Sequence, residues 1–367
     1  KLDTEGSRMF QVVKKIKNCR IALLKWKNTF QANSRGKIDR IKRQMSELKE
    51  MDTSNRKGRM NILKGNLKEA YKEEELYWAQ KSRLQWLREG DKNTKFFHAT
   101  VKGRRRRNRM NKLQREDGSW TESEEELSSE IAEYYRKLLT SSGDGDLSEI
   151  LEGISNNITV EMNENLIKLV EEVEIKSALF SMSPDKAPGA DGMSPIFFQK
   201  FWNIVKNDVV KAVQSFFHSG HLLKNVNHTV ITLIPKVLNP TSLKLYRPIS
   251  LCNTMYKIIA KILANRLKSV LHCCICKNQS AFIPGRQILD NIMLSHEYLH
   301  YLKNKKQGKE GFMAVKLDMS KAYDRVEWSF LDAMMAKLGF HYKWRNWIME
   351  CLRTVTYSFS INGEVKE

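Results

Sequence analysis

In AVKLDMSKAYDRVEW, residues 314–328, an apolar run ends on a carboxylate and passes into a turn. The run FMAVKLD, 312–318, predicts a buried strand, because apolar residues continue without the polar interruptions of a surface helix. Asp318 then stands at the strand's end, where a carboxylate can leave the core and hold a divalent cation with oxygen ligands. Tyr323 and Asp324 follow on the turn into a helix. A strand-end aspartate taken alone is more often a helix cap or a surface charge, so the flanking segments have to decide.

Outward from this stretch the chain alternates helix and strand. Upstream, the pattern predicts a helix over 198–217, a strand over 229–235 (TVITLIP), a proline-bounded loop, and helices over 253–271 and 287–302. Downstream it predicts helices over 326–338 and 343–353. Val355, Tyr357, Phe359 and Ile361 then alternate with Thr356, Ser358 and Ser360, which marks a half-buried strand. That strand meets Asn362-Gly363, a strong two-residue hairpin signal. Four residues follow it, so the expectation is a hairpin cut short and a polypeptide that is the front part of a longer protein.

The chain has 367 residues and 42.8 kDa, with 41% hydrophobic and 29% charged residues and only 7 Pro. Collagen-like and largely disordered chains are excluded. Six cysteines in this length make no disulfide framework and fit a reducing, nuclear or cytoplasmic setting. No window approaches the ~18 apolar residues of a membrane span, and the N-terminus has no apolar signal core. A net charge of +21 points to a polyanionic partner. The charge is uneven: +19 over residues 1–110, −12 over 111–185 and +14 over 186–367.

The basic N-terminal segment reads as helices, with Val12, Ile16, Cys19, Leu23 and Trp26 at helical spacing and Leu76, Tyr77, Leu84 and Leu87 later, ending at Gly90-Asp91. Phe96 and Phe97 precede Arg104, Arg105, Arg106, Arg107 and Arg109, a basic and aromatic mixture that suits a surface tracking a nucleic-acid backbone. A solvated helix face with core aromatics, or a nuclear-localisation signal, are the other uses of that run. NKLQREDGSWTE, 111–122, predicts a hairpin about Asp117-Gly118. Thr121-x-x-Glu124 then predicts the cap of a helix through Leu139, and SSGDGD, 141–146, a linker.

Six segments resemble, in the same order, the reverse transcriptases of LINE-type, non-LTR retrotransposons, with wording especially similar to plant members. They are YWAQKSRLQWLREGDKNTKFFHATVKGRRRRN (77–108), KAPGADGMSPIFFQKFW (186–202), ITLIPK (231–236), YRPISLCNTMYKIIAKILANRLK (246–268), QSAFIPGRQILDNI (279–292) and LDMSKAYDRVEW (317–328). The resemblance covers about residues 71–367, and the first 70 resemble the link that follows the family's endonuclease, which is not in this chain. It implies an α+β fold: a basic helical arm (1–110), a hairpin, helix and acidic connector (111–160), the fingers (161–311) and a partial, truncated palm (312–367) of a right-hand polymerase. Asp318 is implied as catalytic metal ligand, with the backbone carbonyl of Met319 beside it. Tyr323 matches the position whose ring lies under the sugar of the incoming nucleotide and rejects a 2′-hydroxyl; Asp324 is a structural carboxylate. Lys236, Arg247 and Arg286 fall in finger motifs, where they serve either nucleotide and template phosphates or structural pairs.

The implied function is RNA-directed DNA polymerisation in the full-length parent, with Mg²⁺ as cofactor and RNA template, DNA primer and deoxynucleoside triphosphates as partners. The family's next palm segments, a Gly-rich motif with glutamine and a hairpin with two adjacent aspartates, do not occur in the sequence, nor does the thumb. Two-metal phosphoryl transfer needs further carboxylates, so this portion alone is expected to be inactive. A non-catalytic RNA- or DNA-binding protein derived from a retrotransposon is the alternative. His272, Cys273, Cys274 and Cys276 invite a zinc reading, but four ligands within five residues strain tetrahedral geometry, and buried thiols are expected instead. SPDKAPGADG (183–192) lacks the spacing of a phosphate-cradling loop, so Gly189 and Gly192 are expected to turn a finger loop.

Overall fold

The computed structural model describes residues 6–29, 34–50, 55–82, 94–141, 143 and 145–366. Leu84, Leu87 and Gly90-Asp91 lie outside the described residues, as do parts of the 141–146 linker. The fold is mixed helix and sheet. One four-stranded sheet has the order β2-β1-β3-β4, with β1 at His228–Pro235, β2 at Tyr246–Leu251, β3 at Thr356–Ile361 and β4 at Glu364–Lys366.

The β-branched run of β1 favours a pleated, largely buried strand. It pairs antiparallel with β2, Ile234 facing Arg247, and parallel with β3, His228 facing Thr356. Strand β2 replaces part of the proline-bounded loop expected around Pro248. Proline cannot donate to a ladder, but it is tolerated at a sheet edge, and β2 is an edge. Asn362 (φ +53°) and Gly363 (φ +100°) turn β3 into β4, as the Asn-Gly pair predicts for a two-residue hairpin.

Helices α1 (Arg8–Thr29), α2 (Arg35–Glu50), α3 (Arg56–Ser82), α4 (Thr94–Asn108) and α5 (Glu124–Leu139) come first. The cap of α5 is Ser123, whose hydroxyl accepts from the Glu126 backbone N–H; the expected Thr121 instead receives the Leu113 N–H on its own hydroxyl. Then come α6 (Val160–Ile167), α7 (Glu172–Phe180), α8 (Trp202–Ser219), α9 (Thr254–Lys268), α10 (Ile288–Asn304), α11 (Trp328–Lys337) and α12 (Tyr342–Arg353). The helix expected over 198–217 breaks at Phe201, whose ψ of 22° separates the short helix Pro195–Lys200 from α8.

Two cores result. In the larger, α7, α8, α9 and α12 pack together around Phe198, Phe216, Ile258, Trp344 and Trp347. Helix α1 joins this core through Met9, Val12 and Ile16, each contributing roughly 1.5 to 3 kcal/mol by burial, and Lys15 pairs with Asp208 of α8 at 2.8 Å. The predicted stripe fades beyond Cys19, since Leu23 and Trp26 are exposed. In the smaller core, Leu127, Ile131 and Tyr135 of α5 cover Ile231 and Leu233 of β1 and Ile361 of β3.

One prediction fails outright. Residues 311–319 form no strand, and every one of them is exposed. Apolar composition makes a segment fit for a sheet, but a strand exists only where a neighbour takes its N–H and C=O groups. No described strand lies beside this run, since the sheet ends at β2 on one side and β4 on the other.

Candidate active site

Asp318 sits on this exposed extended segment, between Leu317 and Met319. The chain then reverses. Lys321 takes the left-handed region (φ +54°), and a short 3₁₀ turn covers Ala322–Arg325, with the Asp324 N–H donating to the Lys321 carbonyl at 3.0 Å. Glu327 caps α11 and accepts from the Ser141 hydroxyl at 2.7 Å. Tyr323 projects from the turn, 80% exposed.

The charge of Asp324 reaches two phenols. Burial raises the Tyr135 and Tyr357 hydroxyls above the ordinary tyrosine range, and the Asp324 charge adds to each shift. The Tyr135 hydroxyl has no hydrogen-bond partner among the described residues.

Tyr323 meets one residue of the 279–292 segment. Its ring stands edge-on to Phe282, centroids 6.4 Å apart at 80°. Phe282 is itself exposed and held at φ +65°, a backbone conformation a bulky residue adopts only when its surroundings impose it. Arg286 closes the loop that presents Phe282: its Nη1 donates to the carbonyls of Cys276 (2.6 Å) and Gln279 (2.5 Å), and its Nη2 to that of Ile275 (3.4 Å). The guanidinium is thus committed to its own loop.

Lys236 and Arg247 lie apart from this turn, at the end of β1 remote from its pairing with β3. Lys236 donates from Nζ to the Lys244 carbonyl at 2.8 Å. Arg247 is exposed on β2. The KAPGADG loop is packed rather than open: a Cβ on Gly189 would fall 2.4 Å from Asn253 Oδ1 and 2.5 Å from Asn253 N. Asn253 Oδ1 accepts the Asp191 N–H, and burial raises the Asp191 carboxyl above its usual range. Gly192 (φ +75°) makes the turn expected of it.

The arginine run lies on α4 and just past it. Arg105, Arg106, Arg107 and Arg109 are exposed, whereas Arg104 is half-buried and donates to the Ser82 carbonyl at 2.8 Å, closing the end of α3. Phe97 is core and Phe96 is exposed. The His98 ring lies 3.6 Å from Trp78, centroid to centroid, and Trp78 Nε1 donates to Glu74 at 2.8 Å. Beyond α4, the Met110 N–H donates to Asn362 Oδ1 and Asn362 Nδ2 donates to the Met110 carbonyl, both at 2.9 Å. The basic run is thereby fixed to the β3–β4 turn.

Among the described residues no three His, Cys, Asp or Glu side chains gather as a metal site. The expectation of buried thiols needs correcting: Cys273 and Cys274 are half-buried and Cys276 is exposed. Sequence reasoning missed Lys321, Phe282 and the α5 tyrosines. Nothing in DMSKAYD or SAFIPG marks a backbone about to adopt positive φ, and α5 is far away in sequence.

Residues 234–367 match the reverse transcriptase (RNA-dependent DNA polymerase) family. The "Transposon TX1 uncharacterized 149 kDa protein" of Xenopus laevis is 30% identical over 288 residues, 76% of this chain and 22% of that protein. A "Retrovirus-related Pol polyprotein from type-1 retrotransposable element R2" of Popillia japonica is 25% identical over 191 residues, 51% of this chain and 25% of that protein. Its counterpart of Nasonia vitripennis is 27% identical over 187 residues, 51% of this chain and 17% of that protein. The chain spans a quarter or less of the length of each. It carries a reverse transcriptase domain, and that domain is related to those of non-LTR retrotransposon proteins.

Proposed function

We propose that the chain belongs to the polymerase of a LINE-type, plant-like element, in which it takes part in template-directed addition of deoxynucleotides to a DNA primer on RNA. The observation that carries the reading is the turn 318–325: it lies within the matched region and leaves Asp318 and the Tyr323 ring exposed, with no salt bridge to Asp318 among the described residues. Asp318 is the metal-ligating carboxylate, aided by the Met319 carbonyl, Tyr323 is the ring against the sugar, and Asp324 anchors the turn. Oxygen donors of this kind suit Mg²⁺, which keeps several waters and takes one or two carboxylates with substrate phosphates. A single carboxylate fits part of such a site. When bound, the ion neutralises developing charge on the triphosphate; the chain's own residues orient the sugar and carry the nucleic acid. Lys236 and Arg247 reach phosphate from the fingers, and Arg286 acts by shaping its loop.

The test is binding and primer extension with residues 1–367, an RNA template, a DNA primer, deoxynucleotides and Mg²⁺, beside Asp318→Ala. Primer–template binding is expected, together with Mg²⁺-dependent nucleotide binding that Asp318→Ala abolishes. No extension is expected, because two-metal transfer needs several ligands and no group of three His, Cys, Asp or Glu side chains that could hold a metal gathers among the described residues. Nucleotide binding indifferent to Asp318, or extension that Asp318→Ala removes, would overturn the assignment of the site or of its missing ligands respectively.

A further inference from the structure

Lys321 is placed against two ordinary preferences. It holds a left-handed backbone, where residues other than glycine are strained. Its Nζ is buried and finds no hydrogen-bond acceptor among the described residues, although an ammonium is costly to desolvate. What surrounds it is aromatic: Nζ lies 4.8 Å from the Tyr134 ring centroid and 5.0 Å from that of Tyr135. Both distances fall within the reach of a cation–π interaction, which strengthens where water is excluded.

The two rings are themselves fixed. They stand edge-on to each other at 5.2 Å, and Tyr135 is 3% exposed with Phe359 of β3 at 5.0 Å on its flank. Contacts therefore run from the sheet through Tyr135 to Lys321, and from Lys321 into the turn that bears Tyr323 and Asp324. Ser141, just past α5, ties the far side of the same turn through Glu327. A methionine would fill the cage without the desolvation cost, and an asparagine would take the backbone more readily. A lysine satisfies neither preference, but it supplies the one feature the rings attract, a positive charge.

We propose that Lys321 is a positioning residue: its ammonium, clasped by Tyr134 and Tyr135, fastens the turn to α5 and so sets where a nucleotide meets Tyr323. The proposal rests on the nucleotide-site reading above and extends it, since α5 precedes the matched residues 234–367. The experiment uses the chain labelled with fluorotyrosine, each resonance assigned by a single Tyr→Phe variant, and a titration with mant-dATP and Mg²⁺. Lys321→Met should move the Tyr134, Tyr135 and Tyr323 resonances and weaken nucleotide binding by about fivefold or more, while Lys321→Arg, which keeps the cation, should return both readouts close to wild type.

Tyr134→Leu removes one wall of the cage and leaves Lys321 in place. It should reproduce the Tyr323 shift, and it serves if Lys321→Met does not fold. A Tyr323 resonance unmoved by a folded Lys321→Met or by Tyr134→Leu overturns the positioning role. So does nucleotide affinity that survives Lys321→Met while Asp318→Ala abolishes it. Affinity unchanged in both variants overturns the site reading, and the positioning role with it.

Discussion

Replacing Arg266 by alanine should cost the fold about 3 kcal/mol, the lower end of what removing one partner of a buried ion pair costs. The Arg266 side chain is 5% exposed and its guanidinium is doubly bonded to Glu174: Nε to Oε1 at 2.8 Å and Nη2 to Oε2 at 2.7 Å. It also donates to the carbonyls of Leu166 (2.9 Å), Lys168 (2.8 Å) and Leu169 (3.3 Å), which closes the end of α6. Alanine leaves all of these acceptors unmatched. The lower end applies because the Glu174 side chain is 24% exposed, so the orphaned carboxylate can partly rehydrate. Urea unfolding followed by tryptophan fluorescence reads this directly, since Trp202, Trp344 and Trp347 lie in the core that α7 and α9 help to form. At a slope of about 3 kcal/mol per molar urea, the midpoint should fall by about 1 M. Glu174→Gln on the alanine background should recover part of the loss by removing the stranded charge. Arg266→Lys should restore less than half, because an ammonium cannot reproduce the fork. An alanine variant within about 0.5 kcal/mol of wild type, or costs for Arg266 and Glu174 that simply add, would refute the coupling.

If the basic run tracks phosphates, replacing Arg105, Arg106 and Arg107 with alanine should flatten the log–log salt dependence of RNA binding by about 0.7 per lost phosphate contact; an unchanged slope leaves a solvated face, and Arg104 stays because it holds Ser82. Thiol-reactive dye should label exposed Cys276 first and Cys351 last, since burial pushes the Cys351 thiol up to about 12; equal rates would contradict the packing of α12. Burial, followed by the charges of Lys102 and Arg35, holds His98 below its ordinary value against the opposing pull of Glu74. The unfolded chain therefore binds the proton more readily, so stability is full above the ordinary histidine pKa of about 6.5 and is lost as pH falls below it. Amide hydrogen exchange in α4 should accelerate as the pH falls below that value in wild type but not in His98→Phe.

What could be read in the sequence was whatever local chemistry decides. The β1 run, the Asn362-Gly363 turn and α9 to α12 carry their own periodicity and turn residues, and each forms within a few residues of its expected place. Strand β2 was hidden because a proline reads as a loop unless the strand is known to lie at an edge. The 312–318 run shows the converse: its composition suits a strand, but pairing is a property of two segments. In the candidate site, the motif singles out Asp318 and Tyr323, and both side chains are exposed. The Tyr134–Tyr135 cage was not, because it joins Lys321 to α5, a helix nearly two hundred residues earlier that follows a different amphipathic pattern.

The Met110–Asn362 pair also bears on how the protein is made. The two residues are 252 positions apart, yet each amide group answers the other as neighbours in a ladder would. During synthesis, the arginine-bearing helix and the hairpin about Gly118 emerge early, while the turn that latches them emerges only with residue 362. Parallel pairing of β1 with β3, 128 residues later at His228 and Thr356, waits for the same event. Such distant closures fold slowly, so the helix that bears the arginines stays unlatched until β3 and the turn after it have been made.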